Sequence, residues 1–139
     1  MTSVSEFMSN DHDRLDALFA EFLSADEVET TVERLAAFDT GLRRHIEWEE
    51  RILFPEFEQR TGMAESGPTS VMRIEHERID ALLLLIGDRS RTAGAGPAVD
   101  ELREVLTAHN LKEEMILYPW IDRELTDVEI ATALAAMQD

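Results

Sequence analysis

Apolar side chains recur along this chain in steps of three and four. The first such series is Met8, His12, Leu15, Phe19 and Phe22, and the second is Leu35, Phe38, Leu42, His45, Glu49 and Ile52. Met72, His76, Ile79, Leu83 and Ile86 form a third, and Val99, Leu102, Leu106, His109, Glu113 and Ile116 a fourth. Spacing of this kind puts one stripe on one face of a helix. No alternating β-branched run and no Asn-Gly or Asp-Gly hairpin turn interrupts it. The pattern predicts a helix over roughly 3–23, a polar stretch at 24–29, and a second helix over roughly 30–60 closed by Thr61-Gly62. Pro68 sits as a first-turn proline for a third helix reaching about residue 88. A Gly- and Ala-rich loop at 90–96 follows, and Pro97 opens a fourth helix running to about 125. Thr126-Asp-Val-Glu129 matches a capping box for a short last helix. Seams of this type pack antiparallel helices at shallow angles. The expected fold is all-α: one domain over 1–139, an antiparallel up-down-up-down four-helix bundle with a short C-terminal helix.

The stripes carry polar residues at matched positions. All four histidines of the chain lie on them, with Glu49 and Glu113. The second half repeats the first at a constant offset of 64 positions: 12 and 76, 45 and 109, 49 and 113. The surroundings repeat too. His12-Asp-Arg-Leu-Asp-Ala-Leu18 matches His76-Glu-Arg-Ile-Asp-Ala-Leu82, and His45-x-x-x-Glu49-Glu-x-Ile-Leu-Phe-Pro55 matches His109-x-x-x-Glu113-Glu-x-Ile-Leu-Tyr-Pro119. Two helical hairpins related by a pseudo-twofold axis account for this.

A lone histidine on an apolar face is ordinarily a core residue with a satisfied ring. A glutamate there is harder to accommodate, because a buried carboxylate is costly unless paired, protonated or bound to metal. Arg43, Arg44, Arg51, Arg103 and Lys112 sit off the seams and point elsewhere. Residues i and i+4 lie about 5–6 Å apart at Cβ on one helix face. His45 with Glu49, and His109 with Glu113, therefore reach a common centre, where each glutamate can bridge two metals. His12 and His76 complete the nitrogen donors. Ferritin-like sites use Glu-x-x-His and more carboxylate. Imidazole with carboxylate suits iron, zinc or manganese, and excludes none of them sharply. The zincin motif His-Glu-x-x-His does not occur.

Composition narrows the partners. The formal charge is −17, from 30 acids against 13 bases, which disfavours nucleic acid and anionic membranes. The chain has no cysteine, and so no thiolate ligand or disulfide. The first residues show no signal-peptide pattern, and the longest aliphatic run, 82–86, falls far short of the ~20 residues of a membrane span. A cytoplasmic location is expected.

The paired motifs resemble those of the hemerythrin-like (HHE cation-binding) family, over about residues 8–120. The resemblance implies a non-haem di-iron centre bridged by two carboxylates and an oxo or hydroxo group. Its ligands fall on His12, His45, Glu49, His76, His109 and Glu113, with His12 and His45 serving one iron and His76 and His109 the other. Oxygen-carrying hemerythrins have a further histidine one turn before the third-helix ligand, where this chain has Met72. The four-histidine set is closer to hemerythrin-like domains linked to iron-centre repair, nitric oxide or peroxide handling, and iron sensing, although those repair proteins carry a cysteine-bearing segment. Two functions are expected. One is a di-iron protein that binds or reacts with O2, NO or peroxide; the other is an iron module for storage, sensing or donation without turnover. Asp16 and Asp80, each four residues past a histidine, are read as a solvated flank or as supporting carboxylates or occasional ligands. Tyr118 replaces Phe54 in the repeat and is a boundary aromatic or a group near one iron. Trp48 and Trp120 are read as packing residues, and Pro55 and Pro119 as kinks just past the ligands.

Overall fold

A computed structural model describes residues 1–89 and 96–138, and those residues are helical apart from caps and turns. The expected loop at 90–96 lies, except for Gly96, outside the described residues. The chain forms α1 (Val4–Leu23), α2 (Val28–Trp48), a widened turn π1 (Glu49–Leu53), α3 (Phe54–Thr61), α4 (Pro68–Arg89), α5 (Gly96–Lys112), a second widened turn π2 (Glu113–Leu117), α6 (Tyr118–Glu124) and α7 (Asp127–Met137). The principal pairings are α1 with α2 and α4 with α5, joined by α6 against α1 and α3.

Local signals set the ends. Ser3 accepts a hydrogen bond from the Glu6 N–H at the start of α1, and the Asp122 carboxylate accepts from Val4 N (2.7 Å) and Ser5 N (3.0 Å). That places a negative charge against the positive end of the α1 dipole. Gly62 ends α3 at φ 74, a left-handed cap that disfavours side chains. The capping box between Thr126 and Glu129 forms as the sequence predicts. At Gly41 a Cβ would come within 2.9 Å of Leu15, so α1 and α2 approach closely there.

The seams are buried as expected up to the glutamates, and then shift. Ile52 and Ile116 were placed on the stripes; instead Leu53 and Leu117 are buried, while Ile116 is 55% exposed. The cause is π1 and π2. Phe54 N–H bonds Glu49 O and Tyr118 N–H bonds Glu113 O, each reaching back five residues rather than four. The wider turn inserts one residue and rotates everything after it. Pro55 and Pro119 lack an N–H and press on the carbonyl four residues earlier, which favours such widening. The disturbance thus begins at Glu49 and Glu113 themselves and runs past them to Leu53 and Leu117.

Two apolar clusters result. One gathers Met8, Leu53, Phe54, Phe57, Met72, Leu117 and Tyr118 with α7; the other gathers Leu15, Phe19, Phe38, Leu42, Ile79, Leu83, Ile86 and Leu102. His12 lies between Met8 and Leu15 along α1, and His76 between Met72 and Ile79 along α4, so the polar layer is sandwiched between the clusters. No helix among the described residues is long and apolar enough to cross a membrane.

Candidate metal centre

The six residues singled out by the repeat meet in this layer. His12, His45, His76 and His109 are buried, and Glu49 and Glu113 are 0% exposed. Donor atoms of Glu49, His76, His109 and Glu113 lie within 4.8 Å of one another, as do those of His12, His45 and Glu113. Nε2 of each histidine faces inward. His12 Nε2 is 3.1 Å from Glu113 Oε1, His76 Nε2 is 3.1 Å from Glu49 Oε1, and His109 Nε2 is 3.2 Å from Glu113 Oε2. His45 Nε2 is 3.8 Å from Glu49 Oε2.

Each Nδ1 faces outward onto a carboxylate. His12 meets Glu114 (3.0 Å), His45 meets Asp11 (2.8 Å), His76 meets Glu50 (2.7 Å) and His109 meets Glu75 (2.8 Å). An imidazole that donates its Nδ1–H in this way presents the Nε2 lone pair to a metal, with raised basicity. These four acids obey the same offset of 64: Asp11 with Glu75, and Glu50 with Glu114. Links run from α2 to α1, π1 to α4, α5 to α4 and π2 to α1. Asp11 is held further by Arg14, and Glu75 by Lys112.

The supporting carboxylates are therefore not Asp16 and Asp80. Asp16 is exposed, and exposed Asp80 pairs with Arg43 instead. The signal for the true set was present: an acid directly before His12 and His76, and directly after Glu49 and Glu113, in both copies of the repeat. Three of the named bases lie off the site as expected: Arg43 pairs with Asp80, Arg51 with Glu47, and Arg44 lies over Trp48. Lys112 does not, since it grips Glu75, which braces His109. Trp48 and Trp120 pack on Phe7 and Phe57.

Tyr118 is fully buried and enters the site itself. Its hydroxyl sits between Glu49 Oε2 (2.7 Å) and Glu113 Oε1 (2.9 Å), with one proton to donate to either, and lies 3.1 Å from His45 Nε2 and 3.3 Å from His12 Nε2. In a regular helix five residues rotate a side chain about 140° away; π2 brings Tyr118 back onto the face of Glu113. Phe54, its counterpart, stacks on His76 at 5.9 Å and 7° and offers no polar atom.

The electrostatics are those of protons held where cations belong. Burial and the nearby Glu113 carboxylate raise Glu49. Burial opposes ionisation of Glu113 as well, but the Glu49 carboxyl and the His109 and His12 imidazoles set against it pull it well below the usual range. Burial would lower His12 and His76, yet the carboxylates against them raise both. Burial beside both glutamates drives the Tyr118 phenol well up, so it stays protonated.

Among the described residues three buried side-chain atoms find no hydrogen-bond partner: Glu49 Oε1, His76 Nε2 and Glu113 Oε2. The contact between the first two is short but not aligned as a hydrogen bond. All three belong to one donor group, with His109. Unsatisfied buried polar atoms converging on a point, from imidazole and carboxylate alone, fit a first-row cation.

Comparison with known proteins agrees. Residues 3–121 match the hemerythrin HHE cation binding domain family. The chain is 28% identical over 130 residues to an uncharacterized hemerythrin-like protein of Schizosaccharomyces pombe, covering 93% of this chain and 64% of that protein. It is 30% identical over 96 residues to the iron-sulfur cluster repair protein YtfE of Salmonella schwarzengrund, covering 61% of this chain and 44% of that protein. The chain thus spans less than two thirds of either relative. No solved structure matches.

Proposed function

Because this chain belongs to the hemerythrin HHE cation-binding family, we propose that it is a non-haem di-iron protein that binds or reacts with a small oxidant such as O2, NO or peroxide. His12 and His45 hold one iron, His76 and His109 the other, and Glu49 and Glu113 bridge the pair. The reading carries with it an antiparallel up-down-up-down bundle in which α1, α2 with α3, α4, and α5 with α6 each bring donors to one layer. The observation that carries it is the set of inward Nε2 and carboxylate atoms, three of them unpartnered, each imidazole braced from outside.

Iron held by these residues would supply the electrons and the Lewis acidity for reaction with the oxidant. The chain's own residues do the rest. The outer carboxylates fix the tautomer of every imidazole. Tyr118 holds a proton 2.7 Å from Glu49, inside the water-excluded layer. Met72, buried in the apolar cluster beside the site, stands where oxygen-carrying hemerythrins have a fifth histidine. A thioether is a poor replacement for imidazole on iron, so reaction is favoured over stable oxygen carriage.

A second reading is iron donation or sensing without turnover. It is favoured by the likeness to a protein named for iron–sulfur cluster repair. Metal analysis after anaerobic loading with ferrous iron, followed by stopped-flow spectra with O2, NO and H2O2, separates the two. Two irons per chain and rapid spectral change support reaction; two irons with no change support the second reading. One iron or none defeats the dinuclear assignment. A long-lived oxy species released intact under vacuum would show that the chain is a carrier after all.

A further inference from the structure

We propose that Tyr118 makes the two metal positions unequal, so that the chain fills the His76–His109 position first and the His12–His45 position only when the Tyr118 hydroxyl gives way. This rests on the dinuclear reading above and adds an order to it.

The repeat alone predicts two interchangeable positions. Four histidines, two glutamates and four outer acids all obey the offset of 64, and the donors would offer each ion two imidazoles and two carboxylates. The exception among side chains reaching the layer is the pair at 54 and 118. Phe54 has only ring carbon to present to His76. Tyr118 presents a hydroxyl to the point where the other donors converge.

The inward atoms divide accordingly. On the His12–His45 side, Glu49 Oε2, Glu113 Oε1, His45 Nε2 and His12 Nε2 all lie 2.7–3.3 Å from that hydroxyl. On the other side, Glu49 Oε1, Glu113 Oε2 and His76 Nε2 have no hydrogen-bond partner. Each glutamate therefore has one oxygen engaged by Tyr118 and one left over, and the two left over face the same histidines.

A cation arriving at the His76–His109 position relieves unsatisfied groups and displaces no protein atom. A cation arriving at the other position must first displace a phenol hydroxyl held by hydrogen bonding between two buried carboxyl groups. Tyr118 is fixed by its burial beside Leu117 and Ile121 and by the turn π2, so the hydroxyl does not step aside freely. Hydrogen bonds to charged groups of this kind correspond to a weakening of the second site by about 10- to 100-fold. The chain is thereby given a stable one-metal state with a defined location.

Anaerobic titration of the metal-free full chain with Co²⁺, read by calorimetry and by visible absorption, tests the order. The expected result is two steps, the first at least about tenfold tighter than the second. In Tyr118→Phe, which keeps the ring, the second affinity rises to within roughly threefold of the first once these bonds are gone. Crystals grown with one equivalent of Zn²⁺ should show anomalous signal at His76 and His109. Two equal affinities in the parent chain, or zinc shared evenly between positions, would overturn the proposal and leave the dinuclear reading standing. A second step that weakens in Tyr118→Phe would show the hydroxyl to be a donor and not an obstacle, and would also overturn it. Uptake of a single ion at saturation, or of none, would instead bring down the dinuclear reading on which the order rests.

Discussion

In the first half of the chain Asp11 holds His45 and is itself gripped by Arg14, three residues along the same helix. In the second half Glu75 holds His109 and is gripped by Lys112, from the facing helix. The imidazole–carboxylate link is the same in both halves; what anchors the acid is not. The other pair behaves alike. Glu50 and Glu114 stand at equivalent positions beside His76 and His12, each reaching across from the opposite half. The lesson is that the repeat governs atoms that aim the donors and relaxes one bond further out. Position 54 against 118 is the place where it is broken at the centre itself.

The largest effect should come from the glutamates, which belong to neither half alone. In Glu113→Gln, both positions lose a charged donor, and excess metal should no longer raise the thermal midpoint. For a site loaded at ~1,000 times its dissociation constant the lost contribution is about 4 kcal/mol, a fall on the order of 10 °C. Calorimetric melts with and without metal measure it. A metal-dependent rise that survives the substitution would show that the two positions do not share Glu113.

The next effect separates burial from membership of a half. Asp11→Asn should weaken metal binding by roughly 10- to 100-fold, since it loosens a metal-facing imidazole. Glu114→Gln should fall near the bottom of that range, because its side chain is 40% exposed against 9% for Asp11. Competition with a coloured chelator gives both numbers. Equal losses would mean that position in the repeat, not burial, sets the strength of each link.

The last effect concerns protons. In the metal-free chain burial would lower His109, but Glu113, Glu49 and Glu75 raise it from 6.5 to about 9. Its folded value stands above its unfolded one. The stabilisation it gives is full below about pH 6.5 and is lost as pH rises through about 9. Each proton released corresponds to about 1.4 kcal/mol per pH unit within that window. Metal-free protein should therefore become less stable across it in denaturant titrations, while metal affinity climbs as protons cease to compete. A metal-free stability that increases through that window would contradict the charged state of His109.

Much of this was legible in the sequence because helical spacing is a local property. The stripes marked the helices, and the offset of 64 brought six polar residues to one layer. The seam beyond Glu49 and Glu113 was not legible on a regular helical repeat, since one inserted residue moves burial from Ile52 to Leu53 and from Ile116 to Leu117. The prolines at 55 and 119 were the trace of it. The outer acids were missed for a different reason. A residue next to a ligand lies about 100° round its own helix, so it braces a histidine on another helix. Spacing along one chain segment does not display such a partner. Tyr118 was noticed as a break in the repeat, but its reach into the centre depends on π2.

The outer links have one more consequence. They run from α1 to α2, from π1 to α4, from α4 to α5 and from π2 back to α1, and so close on themselves. A helix in such a ring cannot lean outward without opening two links together. Rotamer freedom of the four imidazoles is therefore surrendered while the chain folds, before any ion arrives. Binding is left with little conformational ordering to do, and its free energy is set chiefly by stripping water from the ion and releasing protons from the donors.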